Sequence, residues 1–222
     1  GNYTLTLPTL AADITAKTLT VTGLTGDDKV YDGTTAATED LTVTAGTSNI
    51  VFNGDIGTNT ELGAISILSA KDVTADGIIA KSLSQTAGTG TTKLDGAIST
   101  SGAGGVSITT QTIALNNAIN TANGGTVTLN AANTLTIQDA ANITSSGAVS
   151  LTATNGISTA ADISTTSDNI TFQSATTLTG NVALSSTGGD IKFASTLDGS
   201  KNLSLTAGSG NIFFDDNVGS SS

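Results

Sequence analysis

The sequence predicts an all-β protein: a parallel, right-handed β-helix of about eight coils with a small N-terminal β module or cap. Three observations predict it. An apolar doublet recurs at near-constant spacing, turn formers fill the gaps between doublets, and no stretch shows a 3.6-residue apolar period.

The doublets are Val106/Ile108, Val127/Leu129, Val149/Leu151, Ile170/Phe172, Ile191/Phe193 and Ile212/Phe214. Their first members are 21, 22, 21, 21 and 21 residues apart. Further apolar marks follow each doublet at similar offsets: Ile113/Leu115 and Ile119, then Leu135/Ile137 and Ile143, then Ile157 and Ile163. Leu178 and Val182/Leu184 continue the series, and Leu197 and Leu203/Leu205 close it. Each unit therefore holds three short strands, each pointing one or two side chains inward.

Asn123-Gly124-Gly125, Ser145-Ser146-Gly147, Asn155-Gly156 and Gly188-Gly189 mark the corners, where a positive φ is often needed. Equivalent strands then stack in parallel about 4.8 Å apart, and Phe172, Phe193 and Phe214 are placed to form one column. Each buried aliphatic side chain contributes about 1.5–3 kcal/mol, against about 1–2 kcal/mol of backbone ordering per residue. A coil is stable only inside a stack. An antiparallel sandwich, an up-and-down barrel and a TIM barrel are the competing architectures; constant repeat length with aligned corners favours the solenoid.

Upstream, Ile50/Phe52, Ile65/Ile67 and Leu83 read as first members of earlier coils. Their uneven spacing places longer or shorter corners there, for instance at 86–92. The coils are expected over 47–222. Residues 1–46 lack the rhythm: Tyr3–Leu7 and Leu19–Thr22 alternate as half-exposed strands, with Pro8 at a strand edge. The chain opens in mid-pattern, as an excised or cleaved segment does.

Composition narrows the function. Seven Lys and Arg against 18 Asp and Glu give a net charge of −11 in 222 residues. Nucleic acid and anionic membrane surfaces need grouped basic residues, so neither is an expected partner. No apolar run reaches membrane-spanning length. Cys and His are absent, which removes thiol catalysis, the Ser-His-Asp arrangement and His- or Cys-held zinc. Aromatic residues are 3% and Trp is absent, so a sugar-stacking cleft has no platforms. No catalytic, cofactor-binding or metal-ligating residues are assigned, and the chain is read as non-enzymatic. Calcium is the one ion considered, at Asp27, Asp28 and Asp32 or at Asp215-Asp216. The spacing fits no EF-hand loop, so solvated acidic turns are the preferred reading. Thr109-Thr110 and Thr165-Thr166 are candidates for flat threonine ladders, with solvent-facing strand residues the simpler account. Asn133 and Asn142 are candidates for asparagine ladders inside the corners.

The run Ile14-Thr15-Ala16-Lys17-Thr18-Leu19-Thr20-Val21, with Lys29-Val30-Tyr31-Asp32-Gly33-Thr34-Thr35, resembles the YDG repeat of large bacterial surface exoproteins. That repeat occurs with related MBG modules, and Gly1–Leu5 is similar to the closing strand of a preceding module of this kind. The coil region resembles the filamentous-haemagglutinin-type β-helix of secreted adhesins. The resemblance implies export across an outer membrane, a cell-surface location, tandem modules and a non-catalytic stalk or adhesive role. It carries over no functional residues; Tyr31, Asp32 and Gly33 are its hallmark and are read as structural.

Three functions are therefore weighed. The first is a rod that projects or forms an adhesive surface, with neighbouring modules and surface glycans or proteins as partners. The second is a self-assembling extracellular filament subunit, joined end to end by strand addition through Tyr3–Leu7 or by stacking on Ile212–Val218. The third is a polysaccharide-active enzyme.

Overall fold

A computed structural model describes residues 40–219. They form twenty-two strands, numbered along the chain, and no helix. Every strand pairing is parallel, and the strands stack as a β-solenoid of about eight turns. The architecture is the expected one; of the expected N-terminal β module, 1–46, residues 1–39 lie outside those described.

One column of strands runs the whole length. It comprises β1 (Leu41–Thr44), β3 (Leu62–Ser69), β5 (Ile78–Gln85), β7 (Ile98–Thr110), β10 (Val127–Ala131), β13 (Val149–Ala153), β16 (Ile170–Phe172), β19 (Ile191–Phe193) and β22 (Ile212–Phe214). The second column is a separate sheet: β2 (Ile50–Phe52), β4 (Val73–Ala75), β6 (Thr91–Leu94), β8 (Thr112–Leu115), β11 (Leu135–Ile137), β14 (Ile157–Thr159), β17 (Thr176–Leu178) and β20 (Leu197–Asp198). The third column is β9 (Ile119–Thr121), β12 (Ile143–Ser145), β15 (Ile163–Thr165), β18 (Val182–Ser186) and β21 (Leu203–Thr206).

The first and third columns meet at β7. Its first residues pair with β9, Ile98 opposite Ile119, and its last with β10, Val106 opposite Val127. Before this fork one long strand does the work of two. Coils there have two strands, and coils after it have three.

Period-2 burial explains why these segments are strands. In β10 and β13 alternate residues are buried, and Val127, Val149, Ile170 and Ile191 lie one above the other. The doublets therefore stack as read from the sequence. Leu151 sits over Phe172, and the Phe172, Phe193 and Phe214 rings form a column with centroids 4.7 and 5.5 Å apart and planes within 16° and 4°. Offset or parallel aromatic stacking of this kind adds to area burial. One apolar cluster extends from Val43 to Ala207.

Upstream of β7 the structure corrects one placement. Ile65 and Leu83 do lie in the column of Val106. Ile50 and Phe52 do not: they pair with Val73 and Ala75 in the second column. Their expected place is taken by Leu41 and Val43, opposite Ile65 and Ile67. An apolar-x-apolar doublet shows which residues point inward but not which wall of the coil carries them. Leu41–Thr44, read as part of the N-terminal segment, is thus built into the stack. The irregular spacing has two sources. The corner at 86–90 is long, as expected. A bulge at 101–104 adds residues inside β7, between Thr100 opposite Ala80 and Gly105 opposite Ser82.

Candidate functional surface

The outer face is set by the residues between the buried ones. The middle residue of each doublet points outward, and the register aligns Thr42, Ser66, Ser84, Ser107, Thr128, Ser150 and Thr171. Lys192 and then Phe213 end this row of hydroxyls. The expected threonine ladders are arranged differently. Thr110 and Thr165 point inward and are buried; Thr109 faces outward on the same strand as Thr110, and Thr166 is exposed just past the end of β15. Adjacent residues of a strand cannot share a face.

At the corners, Asn and Asp side chains reach from one coil to the next. Asn142 Oδ1 accepts a hydrogen bond from the Asp162 backbone N–H at 2.9 Å, and Asp162 Oδ1 accepts from Ala183 N–H at 2.7 Å. Asn169 accepts from Asp190 N–H at 2.8 Å, and Asp190 from Asn211 N–H at 2.7 Å. Asn133 Oδ1 accepts from Asn155 Nδ2 at 2.7 Å. Both expected asparagines therefore take part in ladders, on the exposed side of the corner rather than inside it. The Asn142, Asp162, Asn169 and Asp190 side-chain oxygens satisfy backbone N–H groups where the chain turns away from its neighbour, and Asn133 links side chain to side chain.

A second set of hydroxyls lines the inside of the corners before the first column. Ser145 Oγ donates to Gly125 O at 3.0 Å and lies 3.1 Å from Thr121 Oγ1. Ser186 Oγ accepts from Gly189 N–H at 2.8 Å. These buried hydroxyls tie the glycine corners to the strand before them.

The candidate calcium ligands Asp27, Asp28 and Asp32 lie outside the described residues. Asp215 and Asp216 do not converge on one point. Asp215 pairs with Lys192 at 2.7 Å, and Asp216 accepts from Asn217 N–H at 2.8 Å. Among the described residues, no group of three or more His, Cys, Asp or Glu is placed to hold a metal ion.

Two carboxylates sit below their ordinary range. Lys81 and Ser101 hydrogen-bond to Glu61 and hold its carboxyl down, the Lys81 Nζ being 2.7 Å away. Lys93, at 2.9 Å, and Asn116, at 2.6 Å, do the same for Asp95. Both are surface pairs that join neighbouring residues or coils. A shallow groove lies beside one corner, walled by Asp55, Thr58, Ile79, Ser99 and Asn117.

No protein-family model matches the chain, and no curated protein or solved structure is significantly similar to it.

The middle-residue hydroxyl row and most of the Asn and Asp ladders were missed by sequence reasoning. A signal for the ladders exists. Asn or Asp immediately precedes the first apolar residue at Asn49-Ile50, Asp72-Val73, Asn142-Ile143, Asp162-Ile163, Asn169-Ile170, Asn181-Val182, Asp190-Ile191, Asn202-Leu203 and Asn211-Ile212.

Proposed function

We propose that this chain is a non-catalytic rod segment of a secreted bacterial cell-surface exoprotein, serving as a stalk or an adhesive surface. The observation that carries this reading is the single apolar cluster that runs along one stack of coils, from Val43 to Ala207, under a mainly polar face of small side chains. Such a body is stiff along its axis because each coil is hydrogen-bonded to the next along its strands and at many of its corners. Eight coils at about 4.8 Å each span about 40 Å. The net charge of −11 disfavours self-adhesion of the rod's sides. The YDG-like run at residues 14–35 supports the surface-exoprotein assignment by resemblance. Surface glycans or proteins are the partners this reading allows.

The test is deletion of residues 40–219 from the surface protein that carries them. Electron micrographs should show a shorter projection by about 40 Å, the stack height. Unchanged length would end the reading. Enzymatic turnover of plant or bacterial polysaccharides by the purified chain would end it as well.

A filament subunit is the second reading. It is favoured by β22, where Ile212, Phe213 and Phe214 are each more than 40% exposed and Phe214 stacks on Phe193 by one ring face. Size-exclusion chromatography separates the two readings: monomers support the stalk, and concentration-dependent polymers support the subunit.

A further inference from the structure

The coil at residues 78–97 is built unlike its neighbours. In the first column the inward position holds Val43, Ile67, Ile108, Leu129, Leu151, Phe172 and Phe193 in other coils, but Gln85 here. In the second column the matching position holds Ile50, Val73, Ile113, Leu135, Ile157 and Leu197, but Thr92 here and Thr176 further along, where the Thr176 hydroxyl donates locally to Ser174 O at 2.9 Å rather than across the interior. Gln85 is 3% exposed and Thr92 is 1% exposed. They meet across the interior: Thr92 Oγ1 donates to Gln85 Oε1 at 2.7 Å. An aliphatic pair would fill this layer with no polar group to satisfy. The polar pair therefore costs stability relative to that alternative and calls for a reason.

The position supplies one. Ile65, Leu83 and Val106, consecutive in the first column, are 18 and 23 residues apart. The long corner at 86–90 follows Gln85 directly, and the bulge at 101–104 lies in the next strand of that column. Corner length between these two walls varies along the stack, from one residue at 111 and three at 70–72 and 132–134 to five at 45–49 and 86–90. Here slack in the corner and the bulge would let β5 slide by two residues against β7 while β6 stayed in place. A two-residue slide keeps an inward side chain inward, so aliphatic packing alone resists it weakly. The Gln85–Thr92 bond does resist it, because sliding either strand alone leaves a buried amide and a buried hydroxyl unpaired.

We infer that Gln85 and Thr92 form a register lock, which couples the two walls of the solenoid in a coil bordered by both a long corner and the bulge at 101–104. The pair selects a single stacking and does not add net stability.

The chain has no native cysteine, so disulfide mapping of the full 222 residues reads the register directly. Ser84 lies opposite Ser107 in the native register, and a two-residue slide brings it opposite Thr109. Three backgrounds are compared: native, Gln85→Leu, and Gln85→Leu with Thr92→Val. In each, Ser84→Cys is combined with either Ser107→Cys or Thr109→Cys and exposed to mild oxidant. In the native background the 84–107 disulfide should dominate. In the double aliphatic background the 84–109 disulfide should rise about fivefold or more, while the melting temperature equals or exceeds that of the native chain. Gln85→Leu alone, which strands the Thr92 hydroxyl, should melt lower than the double variant. The lock is refuted if 84–109 cross-linking stays at its native level in the double variant, or if Gln85→Leu alone is as stable as the double. A double variant that does not fold also refutes it, since two aliphatic groups should be accepted there.

Discussion

The coils before β7 and those after it share one core but not one construction. Before the fork, β3 and β5 are eight residues long, and each bends to serve two walls. After it, the same path is divided into strands of two to five residues with a corner between each. Along the first column the later coils repeat every 21 or 22 residues, against 18 to 24 in the earlier ones. The earlier ones gain and lose residues between neighbours. A solenoid thus tolerates variable coil length where a strand can bend, and demands constancy where a glycine corner must fit against the corner below.

The largest expected effect is in the Phe column. Phe193 is 1% exposed and stacked between Phe172 and Phe214. Phe193→Ala should cost about 3–5 kcal/mol by urea denaturation. Because coils contact only their neighbours, hydrogen exchange should quicken in β18 to β22 and remain slow in β3 and β5. Uniform loss of protection would show that the two regions unfold as one unit.

The glycine corners come next. A Cβ on Gly189 would lie 2.2 Å from the carbonyl carbon and oxygen of Asp168, whereas one on Gly46 meets nothing within 4 Å. Gly189→Ala should cost about 3 kcal/mol. Gly46→Ala should cost only the strain of its φ of +60°, about 1 kcal/mol. Equal costs in thermal melts would remove the distinction between tightly stacked and open corners.

The ladders should be worth less. Asp190→Ala strips the acceptor from the Asn211 N–H at an exposed corner and should cost about 1 kcal/mol. Asp190→Asn, which retains a carbonyl oxygen, should restore most of it.

The smallest effect is electrostatic. Glu61 and Asp95 have carboxyls held below their ordinary values by Lys81 and Lys93. Each pair contributes stability above the unfolded carboxylate value, near pH 4, and loses it as the pH falls through the lowered folded value. The contribution of each exposed pair is under about 1 kcal/mol. Glu61→Gln should flatten the acid limb of the stability curve slightly and leave stability at pH 7 nearly unchanged. A large loss at pH 7 would show that the pair holds the bulge at Ser101.

The later half of the fold was legible because its signals are local and repeated. Alternation fixed the inward residues, and constant spacing fixed which of them stack, so Val127, Val149, Ile170 and Ile191 could be aligned from the sequence. The earlier half was harder to read for physical reasons. Leu41/Val43 and Ile50/Phe52 have the same alternation but face different walls. Gln85 breaks the apolar column, and a bending strand leaves no turn residue to mark its corner. Asn133 and Asn142 were singled out, yet the rule behind them is positional. Asn142 follows the rule of a side-chain oxygen one residue before a strand, while Asn133 sits two residues before β11, and the relation between coils shows only once they are aligned.

Distances along the outward row test the stacking most directly. Spin labels at Thr171 and, in turn, at Thr128, Ser107, Ser84 and Ser66 sample two, three, four and five coil steps. The stacked register predicts backbone separations of about 10, 14, 19 and 24 Å, rising by one strand spacing per coil. Separations that fail to rise in that order, as an antiparallel sandwich would give, would contradict the solenoid and the rod built on it.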